Sequence, residues 1–257
     1  MQKKGIFLPQ ETNETCGISC ILMALTAFGR IKKPQMSAMD EKSTESIFYE
    51  MYGFNPDGKG GRRMGTLGSA IAYALSCRRL DVQLWHESEA LIENRDGYFP
   101  EALHEKMLAA HREWIAKAQG AFVVRAGMTI DSQVIRAELA RERLVIVQCL
   151  VEGDADGMHD HVLHWILMFD WKDVKFRAYD PAYTPPSRKS PSYIELTEQE
   201  LEAYMDTPVG AAAVSVGARG TMSGGRADLR AEGRRVLSPR PERIEPEDRA
   251  GGRLLNR

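Results

Sequence analysis

The spacing of apolar residues changes along the chain, from helical periods in the first half to strand-like runs in the second. Apolar residues recur three and four positions apart in several early segments, whereas continuous apolar runs predominate between Leu144 and Tyr179. The pattern predicts helices at 16–29, 41–52, 65–78, 100–117 and 131–141, and another from about 197. It predicts strands at 82–85 and 122–124, several within 144–179, and a last one at 211–216. Helices segregated from strands in this way indicate an α+β fold with an antiparallel sheet.

Single positions mark some helix starts and faces. Asp131 precedes one apolar segment as a capping residue, and Thr197 with Glu200 forms a capping box before the last helix. Pro100 suits the first turn of the helix that follows it. The helix at 41–52 carries its apolar residues on one face, formed by Ile47, Phe48, Met51 and Tyr52.

The composition changes after about Val216. Residues 217–257 contain ten arginines and six acidic residues, but no lysine and no aromatic residue. Such a segment cannot bury enough apolar surface to offset the entropy of ordering it. We therefore expect one folded domain at 1–216 and a disordered, arginine-rich tail at 217–257. The ten arginines and six acids give the tail a net charge of +4. Because the whole chain carries −2, the domain carries −6.

Composition and charge exclude several classes of protein. An apolar content of 43% is sufficient for a packed core, and the net charge of −2 gives no reason to expect a nucleic-acid partner. No apolar run reaches the roughly 20 residues of a membrane span. The apolar stretch Ile6–Leu8 is too short for the core of a signal peptide, which predicts a cytoplasmic protein.

Four cysteines in 257 residues are too few for a disulfide framework. Cys20, Cys77 and Cys149 lie in apolar runs, and we expect them to be buried as small apolar residues. Cys16 differs from these three because it stands immediately before a helical apolar segment. A helix N-terminus favours the thiolate, which is the nucleophilic form of cysteine.

Gln10 precedes Cys16 by six residues, on the loop that leads into the same helix. A side-chain amide in this place can direct an N–H group at an oxyanion that develops during attack by the thiolate. A thiol nucleophile also needs a base and a group that orients the base.

His164 and Asp180 are the candidates for these two roles. His164 lies in the apolar run 162–169, Asp180 ends the next strand, and Asp170–Asp173 between them is predicted to be a turn. Two strands joined by a tight turn bring residues near their far ends side by side. We therefore expect His164 and Asp180 to form a hydrogen bond.

In this order, the residues resemble the C39-like cysteine peptidases, a branch of the papain-like superfamily. The matching elements, over roughly residues 5–205, are Gln10, the pair Cys16-Gly17 with its helix, Gly65–Gly68, the strand at 144–147, the His164 strand and Asp180-Pro181. The resemblance implies a papain-like cysteine proteinase fold, in which an N-terminal nucleophile helix packs on an antiparallel sheet. It also implies that Cys16 is the nucleophile, His164 the general base, Asp180 the orienting acid and Gln10 the oxyanion donor.

The function that follows from the resemblance is that of a stand-alone cysteine peptidase or amidase without a cofactor. The best-known members of the family are fused to transporter ATPases and cut leader peptides, but this chain has neither a membrane-spanning run nor a phosphate-binding Walker loop. It also carries an extra helical block at about 100–119. Relatives with the same core perform acyl transfer, so the alternative is an acyltransferase or amide-forming enzyme that uses a carrier-protein thioester. The expected substrate is a peptide or an acyl thioester.

Other groups compete with these assignments. His159 and His161 lie beside several aspartates, which raises a metal site as an alternative, although on a strand His164 would face away from both. A solvated loop before the strand is the preferred interpretation, and His161 is kept as a possible second base. Asp173 is the weaker candidate for the orienting acid. The basic loop at 58–63 could bind an anion, but a surface loop without a ligand is preferred.

Overall fold

A computed structural model of the chain describes residues 6–32, 43–57, 63–152, 161–183 and 192–219. Most of the predicted tail, most of the basic loop and the acidic loop at 153–160 lie outside the described residues. The same holds for the side chain of His161. The predictions for these segments therefore stay predictions.

Six α-helices confirm the helical segments predicted from the sequence, with ends that differ by a few residues. They are α1 (Cys16–Ala27), α2 (Thr44–Tyr52), α3 (Gly68–Ser76), α4 (Glu101–Ala118), α5 (Ser132–Ala140) and α6 (Glu198–Met205), with a short 3-10 helix at Arg95–Gly97. Asp131 accepts a hydrogen bond from the Val134 N–H at 2.8 Å and so caps α5. Thr197 and Glu200 form the predicted capping box of α6. None of the described helices is long and apolar enough to cross a membrane.

Seven strands form one mixed sheet in the described part of the chain. They are β1 (Leu80–His86), β2 (Val123–Ala126), β3 (Leu144–Glu152), β4 (His161–Lys172), β5 (Lys175–Tyr179), β6 (Ile194–Leu196) and β7 (Ala212–Ala218), in the order β2-β1-β7-β3-β4-β5-β6. Every neighbouring pair is antiparallel except β1 and β2, which are parallel. The sheet is thus mostly antiparallel, and it departs from the predicted antiparallel sheet only at this edge, because α4 connects β1 to β2 by a crossover.

The last described strand lies in the middle of the sheet. β7 pairs with β1 on one side and with β3 on the other, and the side chains of Val214 and Val216 are fully buried. The sheet is thus completed only when this strand, near residue 216, is in place.

Helices cover both faces of the sheet. Alternate residues of β4 enter different cores: Trp165 and Leu167 pack with residues of α1 and α3, whereas Ile166 and Met168 pack with residues of α5 and α6. Successive side chains of a strand point to opposite faces of the sheet, so a strand that is buried on both faces contributes alternate residues to two cores. The fold is therefore α+β, with α1 packed directly against β4.

The hairpin between β4 and β5 turns later than predicted. The sequence placed the turn at Asp170–Asp173, but β4 continues through Lys172. The turn consists of Asp173 and Val174, whose φ angles of 54° and 57° are those of a two-residue hairpin turn with positive φ at both positions. Packing of the ring of Trp171 on that of Phe176, with 4.4 Å between centroids, extends the paired region beyond the predicted strand.

Two predictions about exposure are corrected. Phe48 and Tyr52 of α2 are buried and pack on each other, whereas Ile47 and Met51 are 45% and 51% exposed. The two pairs lie on neighbouring stripes of the helix, and only one stripe faces the core. Cys77 is also exposed, in contrast to Cys20 and Cys149, because it follows the last residue of α3.

Candidate active site

Cys16 is the first residue of α1 and is buried, with 4% of its surface exposed. The preceding residue, Thr15, does not cap the helix with its side chain. Its hydroxyl instead donates to the Thr12 carbonyl at 2.9 Å and accepts from the Thr12 N–H at 3.1 Å. The N–H groups of the first turn are therefore left without a side-chain cap, next to the sulfur of Cys16.

Gly17 allows α1 to approach its neighbours closely. A Cβ atom built on Gly17 would lie 2.9 Å from Cβ of Thr66 and 3.2 Å from Cδ1 of Trp165. Trp165 is itself fixed, because its ring N–H donates to the Thr66 carbonyl at 2.9 Å. The pair Cys16-Gly17 thus places the thiol at a point where the helix touches both the segment before α3 and strand β4.

The hairpin brings His164 and Asp180 together, as the sequence predicted. The register pairs Leu167 of β4 with Tyr179 of β5, so the chain at Asp180 runs back alongside the earlier part of β4. Nε2 of His164 donates to Oδ1 of Asp180 at 2.7 Å. The same carboxylate oxygen accepts the N–H of Ala182 at 2.9 Å, which fixes its direction.

The pKa of His164 is set by opposing effects. Burial disfavours the imidazolium and by itself would lower the pKa. Hydrogen bonds to Asp180 and Cys16, and the negative charges of these two groups, outweigh burial and raise the pKa from its usual 6.5 to about 10. A pKa of about 10 means that the imidazole is protonated at neutral pH.

Gln10 is joined to the hairpin through its backbone. Its N–H donates to the carbonyl of Pro181, the residue after Asp180, at 3.0 Å. Oε1 of Gln10 is buried and has no hydrogen-bond partner among the described residues. The unpartnered atom of this side chain is its hydrogen-bond acceptor and not its N–H donor.

Sequence reasoning missed Glu45, a buried residue in the first turn of α2. Its Oε1 accepts the backbone N–H of Glu11 at 2.8 Å. Burial raises the pKa of the Glu45 carboxyl, and the hydrogen bond from the Glu11 N–H opposes this effect. Glu45 is thus in contact with the loop between Gln10 and Cys16. An acidic residue at a helix start is the one local signal, and it does not reveal this contact.

The remaining candidates lie elsewhere or outside the described residues. Asp173 is exposed at the hairpin turn, where it is 3.9 Å from Arg177. Arg63, the end of the predicted basic loop, donates to the Glu50 carbonyl at 2.6 Å. Among the described residues, no group of three or more histidine, cysteine or acidic side chains could hold a metal ion. His159 and its neighbouring aspartates are not among them.

Comparison with known protein families assigns the chain to one of them. The model of a family described as "Peptidase_C39 like family" matches residues 6–206, a range that includes Gln10, Cys16, His164 and Asp180. A search of the curated proteins finds no match. Among solved structures, the chain is similar to that of a Bacillus anthracis protein assigned as a C39-like peptidase. The similarity covers 85% of this chain and 97% of that one, at 9% identity and a TM-score of 0.44, a likeness too loose to carry an argument about activity.

Proposed function

Because the chain belongs to the Peptidase_C39 like family, we propose that it is a cysteine peptidase or amidase that acts through an acyl-enzyme intermediate. Cys16 is the nucleophile, His164 the general base and acid, and Asp180 the residue that orients the imidazole. Gln10 is the oxyanion donor. The arrangement is that of a papain-like enzyme, with the nucleophile at the start of a helix and the base on a strand of the adjoining sheet.

The observation that carries this proposal is the hydrogen bond between Nε2 of His164 and Oδ1 of Asp180 at 2.7 Å. It holds the ring in one orientation and leaves Nδ1 for the thiol of Cys16. The interaction with Cys16 contributes to the raised pKa of His164, which supports a contact between the imidazole and the Cys16 sulfur. A base that is both buried and oriented is the arrangement that nucleophilic catalysis requires.

The reaction begins with attack of the Cys16 sulfur on the substrate carbonyl carbon. A C–S bond forms and the carbonyl oxygen becomes an oxyanion. The carbon–nitrogen bond then breaks, and the proton on Nδ1 of His164 passes to the leaving amine. Water attacks the resulting thioester and gives a proton to His164. Departure of the carboxylic acid restores the thiolate and the imidazolium.

The oxyanion needs donors that are already in place. The side-chain amide of Gln10 and the backbone N–H of Cys16, which belongs to the uncapped first turn of α1, supply them. Removal of one such donor typically costs about 3 kcal/mol of transition-state stabilisation. The hydrogen bond from the Gln10 N–H to the Pro181 carbonyl fixes the backbone from which this amide projects, which supports its assignment.

The test compares the protein with its Cys16→Ala variant, both in a Cys77→Ser background because Cys77 is an exposed thiol. Each protein is incubated with a mixture of peptides and with p-nitrophenyl acetate, and the protein and products are followed by mass spectrometry. We expect an acetyl adduct on Cys16 and peptide cleavage in the parent. Both should be lost in Cys16→Ala, with an unchanged circular dichroism spectrum.

The same experiment distinguishes hydrolysis from acyl transfer. An adduct that is released by added amines much faster than by water would favour the acyltransferase alternative. Turnover that survives in the folded Cys16→Ala protein would refute both.

A further inference from the structure

We propose that Glu45 is a positioning residue for the oxyanion donor: its buried carboxylate holds the loop that directs the side chain of Gln10 towards the site. This inference rests on the proposed function, in which Gln10 stabilises the oxyanion. Glu45 lies on α2, an element that carries none of the proposed reacting groups.

Two successive backbone N–H groups, those of Gln10 and Glu11, are bound by different elements. The N–H of Gln10 donates to the Pro181 carbonyl at 3.0 Å, and the N–H of Glu11 donates to Oε1 of Glu45 at 2.8 Å. The peptide units on either side of the Gln10 Cα are therefore both fixed, one to the end of the hairpin and the other to α2. Since the Cα of Gln10 lies within this pair of contacts, they determine the direction in which its side chain leaves the backbone.

The other end of the same loop is held separately. Thr12 and Thr15 form two hydrogen bonds with each other that involve the Thr15 hydroxyl, and the helix begins at the next residue. The carboxylate of Glu11 accepts the Ser43 hydroxyl at 2.6 Å, on the surface. Of these two contacts between the start of α2 and the loop, only the one made by the buried residue Glu45 binds the backbone of the loop. Its loss should therefore affect Gln10 more than it affects Cys16.

A carboxylate is a stronger acceptor for the Glu11 N–H than an uncharged side chain would be. Hydrogen bonds with an ionised acceptor are stronger than neutral ones, and the N–H of Glu11, an exposed residue, would turn to another partner if it lost this acceptor. The loop would then move towards water or towards another acceptor. A shift of about 1 Å in a catalytic group is enough to lower a rate by roughly a hundredfold.

The variants that test this role are Glu45→Leu, which removes the acceptor, and Glu45→Gln, which keeps an acceptor oxygen of the same size without the charge. Two reactions of Cys16 are compared in the Cys77→Ser background. Acylation by p-nitrophenyl acetate passes through an oxyanion, whereas alkylation by iodoacetamide does not. Their ratio therefore reports on the oxyanion donor independently of the reactivity of the thiol.

In Glu45→Leu, we expect acylation to slow by roughly tenfold to a hundredfold, with alkylation changed by no more than about twofold. Glu45→Gln should recover most of the acylation rate. In a Gln10→Ala background, Glu45→Leu should have little further effect, because the group that it positions is already absent. The control is Ile135→Val, a destabilising change in the core on the other face of the sheet, which should leave the ratio unchanged.

The outcomes separate the inference from the proposed function. If Cys16→Ala retains turnover, the proposed function fails regardless of Glu45. If Cys16 is required but Glu45→Leu slows acylation and alkylation equally, or adds its full effect to that of Gln10→Ala, then Glu45 only stabilises the loop and the inference is wrong. Circular dichroism and thermal melting ensure that both Glu45 variants are folded at the assay temperature.

Discussion

Replacing Asp180 by alanine should lower the pKa of His164 by at least about one pH unit. In the parent protein this pKa is raised from 6.5 to about 10 although the ring is only 5% exposed. Asp180 provides the largest of the favourable interactions, a hydrogen bond at 2.7 Å, and adds the effect of its charge. The alanine variant loses both while the rest of the hairpin keeps its pairing.

The magnitude follows from the number of favourable interactions. Four of them, two hydrogen bonds and two charges, together raise the pKa by more than 3.5 pH units, because they also overcome burial. The largest of the four must then supply at least a quarter of this rise, close to one pH unit or roughly 1 kcal/mol. The charge of Asp180 adds to this figure.

The raised pKa also has a consequence for stability with a definite sign. A folded protein that binds a proton more tightly than the unfolded chain gains stability at low pH. For His164 this contribution, about 5 kcal/mol, is fully present below pH 6.5 and is lost as the pH rises towards 10. In Asp180→Ala the folded pKa is lower, so the decline in stability that begins near pH 6.5 should end at a lower pH than in the parent protein.

The assay is an NMR titration of protein labelled with ¹³C at histidine Cε1, between pH 5 and pH 11. The His164 signal is identified by its absence in His164→Gln. The matched control is Asp173→Asn, which removes an exposed acid from the same hairpin, the weaker candidate for the orienting role. We expect the His164 midpoint to move in Asp180→Ala and not in Asp173→Asn. Equal midpoints in Asp180→Ala and the parent would refute the coupling between Asp180 and the imidazole.

Two further predictions concern buried ionisable groups away from the site. Arg143 is 5% exposed and forms ion pairs with Asp81 and with the fully buried Glu138. Arg143→Met leaves the charge of Glu138 without this partner, so it should lower the free energy of unfolding, measured by urea denaturation, by ~3–5 kcal/mol. A loss below ~1 kcal/mol would contradict this. Burial lowers the pKa of His86 to about 4. Its contribution to stability is therefore complete above pH 6.5, and about 3 kcal/mol is lost as the pH falls to 4. His86→Phe should remove most of this loss of stability in acid, and an unchanged slope of unfolding free energy against pH would count against the prediction.

The contact between His164 and Asp180 could be predicted because the information for it is local. An apolar run, a polar turn and a second apolar run specify a hairpin, and the hairpin determines which residues face each other. The exact turn was missed because Trp171 packs on Phe176 and prolongs pairing into residues whose polarity suggested a loop. The error moved the turn by a few residues without separating the two side chains.

Glu45 and the position of β7 could not be predicted, because both depend on contacts between distant parts of the chain. Glu45 lies 34 residues from the N–H that it binds. As an acidic residue in the first turn of a helix, it is sufficiently explained by the helix dipole, and nothing local indicates burial. Similarly, the apolar character of 211–216 predicts a strand but not that it pairs between β1 and β3.

The candidate site therefore depends on a few contacts that join α1 and its loop to the hairpin and do not involve the reacting groups. Gly17 lies against the ring of Trp165, the thiol of Cys20 donates to the Trp165 carbonyl at 3.4 Å, and the Gln10 N–H donates to the Pro181 carbonyl. Because these contacts use backbone atoms, a ring and a second thiol, they persist when Cys16 or Asp180 is replaced. Variants of the reacting groups should consequently fold, and their effects can be interpreted as chemistry. Substitution of Glu45 alters the scaffold itself, and for that reason only a ratio of two reactions at the same sulfur can reveal its role.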